Sequence, residues 1–191
     1  MHTRSFVFIL QSPNMGSING ININAHFRRL IQGIRNVHRI FERYFNGEAD
    51  LNAVIAQETK RTKLAAKVNE LEEMLRKTLE VSLGDFCLKD VKLDRLQTEM
   101  EFFYETPQGW MKGYIDLCFE HEGKLYVVDW KTNLLGSTSK EAIFQVMQAH
   151  DYLLQAEIYS AAMHKYLAQF RAIGFGGVYF VFVRGAVVYR V

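Results

Sequence analysis

One stretch limits the possible folds more than any other: GYIDLCFEHEGKLYVVDWKTN, from Gly113 to Asn133. Two apolar, β-prone runs flank Glu122-Gly123. Gly suits the positive φ that a two-residue hairpin turn requires. A turn made of those two residues pairs His121 with Lys124. Counting back along both strands then sets Asp116 directly opposite Asp129, on one face of the sheet. Facing side chains in such a pair have Cβ atoms about 4.5–5.5 Å apart. Lys131 lies two residues beyond Asp129 and points to the same face.

Neither face of this hairpin reads as wet. Asp116 interrupts a run (Tyr114, Ile115, Leu117, Cys118, Phe119) with no charge of its own, and Val127 and Val128 place apolar groups on both faces. Like charges set opposite one another there are destabilising. One of the two pKa values must rise unless a cation neutralises the pair. Mg²⁺ takes oxygen ligands and keeps several waters, so paired aspartates suit it as an anchor. The neighbouring Lys131 adds a positive donor for a phosphoryl oxygen, or helps deprotonate a metal-bound water. The hairpin therefore fits metal-dependent phosphodiester cleavage. The plainer alternative is an Asp–Lys ion pair on a solvated hairpin, since Asp-x-Lys alone is common.

The rest of the chain supplies a setting. Its 191 residues suit one domain, and 49% apolar with 23% charged residues is a globular composition. A net charge of +2 neither requires nor excludes nucleic acid. Cys87 and Cys118 form no metal-spaced cluster and are expected as free thiols of a reducing compartment. The apolar run from Phe6 to Leu10 is too short for a signal core, and nothing approaches a membrane span. The expected location is the cytoplasm. No Gly-x-x-x-x-Gly-Lys-[Ser/Thr] occurs, so the chain carries no ATP site of that type.

Residues 1–24 are expected to be an irregular N-terminal segment, with one domain over 25–191. Apolar spacing predicts a helix over 25–46 (Phe27, Leu30, Ile31, Ile34, Val37, Phe41) and a second over roughly 60–82 (Leu64, Val68, Leu71, Leu75, Leu79). The basic start of the second, Lys60-Arg61 with Lys63, reads as a solvated face. Strands follow over 96–104, 111–120 and 124–131. A helical stretch over about 140–170 is broken near His150-Asp151. The run GGVYFVFVRG, 176–185, reads as a strand buried on both faces. The order helix, helix, three strands, helix, strand implies an α/β mixed sheet covered by helices on both sides.

At this point the residues resemble a known family. Gly113-Tyr114-Ile115-Asp116, then Val127-Val128-Asp129-Trp130-Lys131-Thr132-Asn133, resembles the Asp…Asp-x-Lys signature of the PD-(D/E)XK nuclease superfamily. More narrowly, it resembles the C-terminal nuclease domains of RecB-type helicase–nucleases. Thr98-Glu99-Met100-Glu101-Phe102, Gln155-x-x-x-Tyr159, the closing run 176–185 and Val37-His38-Arg39-Ile40-Phe41-Glu42 resemble further pieces of that group. The resemblance covers roughly 33–185.

What the resemblance implies is specific. The fold would be a restriction-endonuclease-like core. Asp116 and Asp129 would be ligands of Mg²⁺ and Lys131 the catalytic lysine. His38 and the backbone carbonyl of Trp130 would be further ligands. Gln155 and Tyr159, one helical turn apart, would sit near the site, contacting DNA or ordering metal-bound waters. The activity would be DNA hydrolysis, as an exonuclease of double-strand-break repair and recombination, with RecC and RecD subunits as partners. The alternatives are a non-catalytic fragment that binds DNA or a RecC-like subunit, and a stand-alone exonuclease of a related iron–sulfur kind, for which two cysteines are too few. From spacing alone His38 lies on the apolar stripe of its helix and reads as a core histidine, with His26 as rival if the register shifts. Glu99 and Glu101 share a strand face; either extends the acidic cluster or meets solvent, and Glu99 is favoured.

Overall fold

The computed structural model describes residues 36–106, 109–169 and 173–191. The expected irregular segment over 1–24, His26 and the start of the first helix lie outside the described residues.

Helix α1 is described over residues 36–45. A helix not expected from the sequence follows, α2 (Leu51–Thr59), capped by the Asp50 carboxylate, which accepts the N–H of Ala53 at 3.0 Å. Its apolar pattern (Leu51, Val54, Ile55) is one turn long, too brief for periodicity to reveal. The expected helix over 60–82 is shorter than predicted. Thr62 ends the preceding turn by donating its hydroxyl to the carbonyl of Thr59 and accepting the N–H of Leu64. Such local bonds compete with helical ones. A 3-10 turn (Lys63–Lys67) then leads into α3 (Val68–Leu79).

Three antiparallel-linked strands come next: β1 (Leu96–Thr106), β2 (Gly109–His121) and β3 (Lys124–Lys131). The β2–β3 turn is the one read from the sequence. Glu122 and Gly123 take φ of 48° and 72°, and His121 pairs with Lys124. Helices α4 (Lys140–Ala149) and α5 (Tyr152–Leu167) form the crossover, divided at Asp151, whose φ is 56°. The chain returns in β4 (Gly174–Phe182), parallel to β3. The strand expected over 176–185 is present but ends three residues early. It stops at Phe182, turns over 183–186, and comes back as an unexpected edge strand, β5 (Val187–Arg190). The five strands lie in sequence order in one mixed sheet.

Each sheet face carries its own core. Phe41, Phe45, Val54, Ile55 and Leu75 from α1–α3 pack with Val128, Trp130, Tyr179 and Val181. Ile143, Met147, Ala156 and Met163 from α4 and α5 pack with Val127, Phe180 and Phe182 on the other side. Strands β3 and β4 alternate between these two cores, which is why both read as continuous apolar runs. A charge in the middle of β3 therefore meets a helix and not bulk water.

Candidate active site

Asp129 and Lys131 occupy the last turns of β3's alternation and face α5. Both are buried, at 4% and 9% exposure. The Lys131 Nζ lies 2.5 Å from Asp129 Oδ2 and donates to Gln155 Oε1 at 2.9 Å. The Gln155 amide nitrogen donates to Asp129 Oδ1 at 2.8 Å and to the Tyr159 hydroxyl at 2.7 Å. Its amide can take only this orientation, because a flip would turn its oxygen onto a carboxylate and its nitrogen onto an ammonium. The Tyr159 hydroxyl also lies 2.9 Å from Asp129 Oδ1 and 3.1 Å from the carbonyl of Tyr114. With one proton to give, it serves one of these acceptors at a time. Gln155 and Tyr159 thus hold the Asp-x-Lys pair itself.

Sequence reasoning missed one further contact. The Lys131 ammonium sits 3.8 Å from the centroid of the Tyr152 ring and 5.2 Å from that of Phe180. The Tyr152 hydroxyl donates to Asn133 Oδ1 at 3.0 Å. The spacing Tyr152, Gln155, Tyr159 along one helix was the available signal.

The pairing of Asp116 with Asp129 needs correction. The hairpin register is as expected from His121↔Lys124 to Leu117↔Val128, and there it ends. Asp116 does not pair with Asp129. Its Oδ2 instead accepts the backbone N–H of Trp130 at 2.7 Å, and its Oδ1 lies 3.4 Å from His38 Nδ1 on α1. On the other side the β1–β2 ladder skips the same residue, pairing Thr98↔Leu117 and Met100↔Ile115 but not Glu99 with Asp116. Glu99 has φ of 46°, a left-handed conformation that costs a non-glycine residue about 1–3 kcal/mol. Asp116 therefore stands in a gap left by both neighbouring strands, and its carboxylate fills the gap.

That gap gathers a donor set. Ligand atoms of His38, Glu99 and Asp116 all lie within 4.8 Å of one another. Of the two glutamates weighed from the sequence, Glu99 joins this cluster. Glu101 pairs with Lys112 at 3.0 Å instead. Burial pushes the Glu99 carboxyl up to about 7, helped by the charges of Asp116 and Glu42. Burial alone would lower the His38 pKa, but the hydrogen bond and charge of Asp116 hold it above the ordinary value. Asp129 is also pushed up, by burial first and by Asp116 in part, against the opposing charge of Lys131. Burial and the Asp129 charge raise the Tyr159 phenol well above its ordinary value. Carboxylates held this far from their preferred ionisation are relieved by a cation. Hard oxygen donors with one imidazole suit a divalent ion, so the residues present fit such a metal.

Trp130 anchors the site from behind, its indole stacked on Phe41 at 4.4 Å between centroids. His38, Trp130 and Lys131 line a cleft of about 590 Å³ that gives access to this region.

The family model for the PD-(D/E)XK nuclease superfamily matches residues 27–189. The RecBCD enzyme subunit RecB of Escherichia coli (strain K12) is 44% identical over 87 residues, 41% of this chain and 7% of that protein. RecB of Haemophilus influenzae is 43% identical over 91 residues, 43% of this chain and 8% of its own length. RecB of Chlamydia trachomatis is 28% identical over 177 residues, 89% of this chain and 16% of its own length. The chain thus spans a small fraction of the relatives it matches. Among the described residues, no helix is long and apolar enough to cross a membrane.

Proposed function

Since the chain belongs to the PD-(D/E)XK nuclease superfamily, we propose that it is a Mg²⁺-dependent deoxyribonuclease of RecB type that hydrolyses phosphodiester bonds as an exonuclease. The observation that carries this reading is the convergence of two clusters. The buried Asp129–Lys131 pair and the His38–Glu99–Asp116 donor set lie at the end of the β2–β3 ladder, close enough for the Asp116 charge to act on Asp129.

Asp116 and Asp129, with His38 and Glu99, would hold the ion, and the Trp130 carbonyl would be a further ligand. A bound divalent ion supplies Lewis-acid chemistry, polarising the phosphoryl group and lowering the pKa of water. Lys131 orients the attacking water or balances charge developing on the phosphoryl oxygens. Gln155 and Tyr159 fix both Asp129 and Lys131, so neither must reorganise as charge develops. The aromatic rings of Tyr152 and Phe180 confine the Lys131 side chain.

The relatives are named as subunits of RecBCD. On that footing DNA is the proposed substrate and RecC and RecD subunits are the proposed partners, in recombination and double-strand-break repair. The test is degradation of linear DNA by the purified chain in Mg²⁺, beside Asp129→Ala. Cleavage abolished in the variant supports the reading. Equal cleavage by both, or none by the wild type, refutes it as a self-sufficient nuclease.

A further inference from the structure

The cleft above Lys131 has a charge pattern of its own. Among the described residues no carboxylate lines it, whereas Lys131, Arg184, His38 and His150 do. A second cleft of about 480 Å³ shares Thr132 and Arg184 with the first, so the two adjoin across Arg184. The other basic residue of that second cleft, Lys67, is paired with Glu70 at 2.8 Å. Lys131 is committed to Asp129 and Gln155. Arg184 is exposed and has no ion pair or side-chain hydrogen bond among the described residues.

Its backbone position is fixed all the same. Val183 donates its N–H to the carbonyl of Lys131 at 2.9 Å, and Gly185 donates to the carbonyl of Phe182 at 3.1 Å. The buried Thr78 hydroxyl reaches the carbonyl of Val183 at 3.3 Å. The turn that carries Arg184 is thus tied directly to the strand end that carries Lys131. A free guanidinium on a fixed turn, at the junction of two clefts, suits a repeating anion. Its planar fork matches phosphate oxygens.

We propose that Arg184 is a phosphate-binding residue that grips the nucleic-acid backbone one or more nucleotides from the bond that is cut, and so guides the strand through the adjoining clefts. The place of that contact relative to the cut rests on the nuclease reading; the phosphate contact itself does not.

The experiment is fluorescence anisotropy of a labelled single-stranded oligonucleotide with the full chain, in Ca²⁺, across a salt series. Arg184→Ala is expected to bind about tenfold more weakly at low salt and to show a log–log salt slope shallower by about 0.7, the loss of one phosphate contact. Arg184→Lys is expected to keep the wild-type slope. The thermal midpoints of both variants should match the wild type, because the side chain is exposed. A wild-type slope in Arg184→Ala, or no salt-dependent binding by the wild type, overturns the proposal. Cleavage of linear DNA in Mg²⁺ is scored separately. Binding with the expected slopes but no cleavage leaves the Arg184 contact standing and removes the nuclease reading, and the converse result does the opposite.

Discussion

The Asp116 carboxylate accepts the backbone N–H of Trp130 at 2.7 Å, so a side chain takes the place of a ladder bond between β2 and β3. This gives Asp116 two separable roles, one structural and one ionic. Asp116→Asn keeps an oxygen for that N–H and loses the charge. Asp116→Ala leaves the N–H without a partner, at a cost of about 1–3 kcal/mol. We expect both to lose Mg²⁺ binding and cleavage, with only the alanine variant markedly less stable in urea. Equal stability losses would show that the bond to Trp130 carries little.

Lys131 neutralises a carboxylate that is buried beside it. Removing one partner of a buried pair costs about 3–5 kcal/mol, because the remaining charge is uncompensated. Lys131→Ala should therefore abolish cleavage and lower stability by roughly 3 kcal/mol. The double variant with Asp129→Ala should recover part of that stability but no activity. Denaturant melts of the single and double variants test the pairing.

Gln155 joins Asp129, Lys131 and Tyr159 through three hydrogen bonds. Gln155→Glu replaces a donor to Asp129 with a second acidic group. We expect it to reduce kcat at neutral pH more than Tyr159→Phe, which leaves the Gln155 bonds to Asp129 and Lys131 in place. Single-turnover cleavage rates order the two, and the reverse order would contradict the arrangement.

The Glu99 carboxyl, raised from the ordinary 4.5 to about 7, sets a pH dependence for the metal-free protein. A raised carboxyl pKa means that the folded state binds more protons than the unfolded state between those values. Its stabilising contribution is complete below about 4.5 and is lost as pH rises through about 7. Metal binding needs the ionised group, so Mg²⁺ affinity should rise over the same window with proton release. Glu99→Gln should flatten the first dependence, read from thermal midpoints across pH in a chelator.

Gly176 tests the fold away from the site. A Cβ there would clash with the Tyr126 ring, and that ring is packed against Phe119 and Tyr179. Gly176→Ala should destabilise by about 1–3 kcal/mol through forced repacking. A thermal midpoint equal to that of the wild type would show that the ring moves freely.

Much of this protein was legible from local chemistry. Glu122-Gly123 determined the turn, the turn determined the hairpin register, and period-two alternation put Asp129 and Lys131 on one face. The apolar runs in β3 and β4 announced strands buried on both sides. These features depend on residues close in sequence, whose geometry the backbone dictates. Helix α2 and strand β5 escaped because each is short, and tertiary packing holds them more than propensity does.

The site itself was decided by the tertiary structure. No local rule makes the β1 ladder skip Asp116 at the point where the β3 ladder ends, yet both happen there. Glu99 reaches the cluster only through a backbone turned to positive φ, and His38 only because α1 packs over that gap. Gln155 was recognisable, but its amide acquires a meaning only when α5 lays it between Asp129 and Lys131. Side chains far apart in sequence meet where packing puts them. The sequence by itself specified which groups carry charge, and the fold determined which of those charges share a space with too little water to separate them.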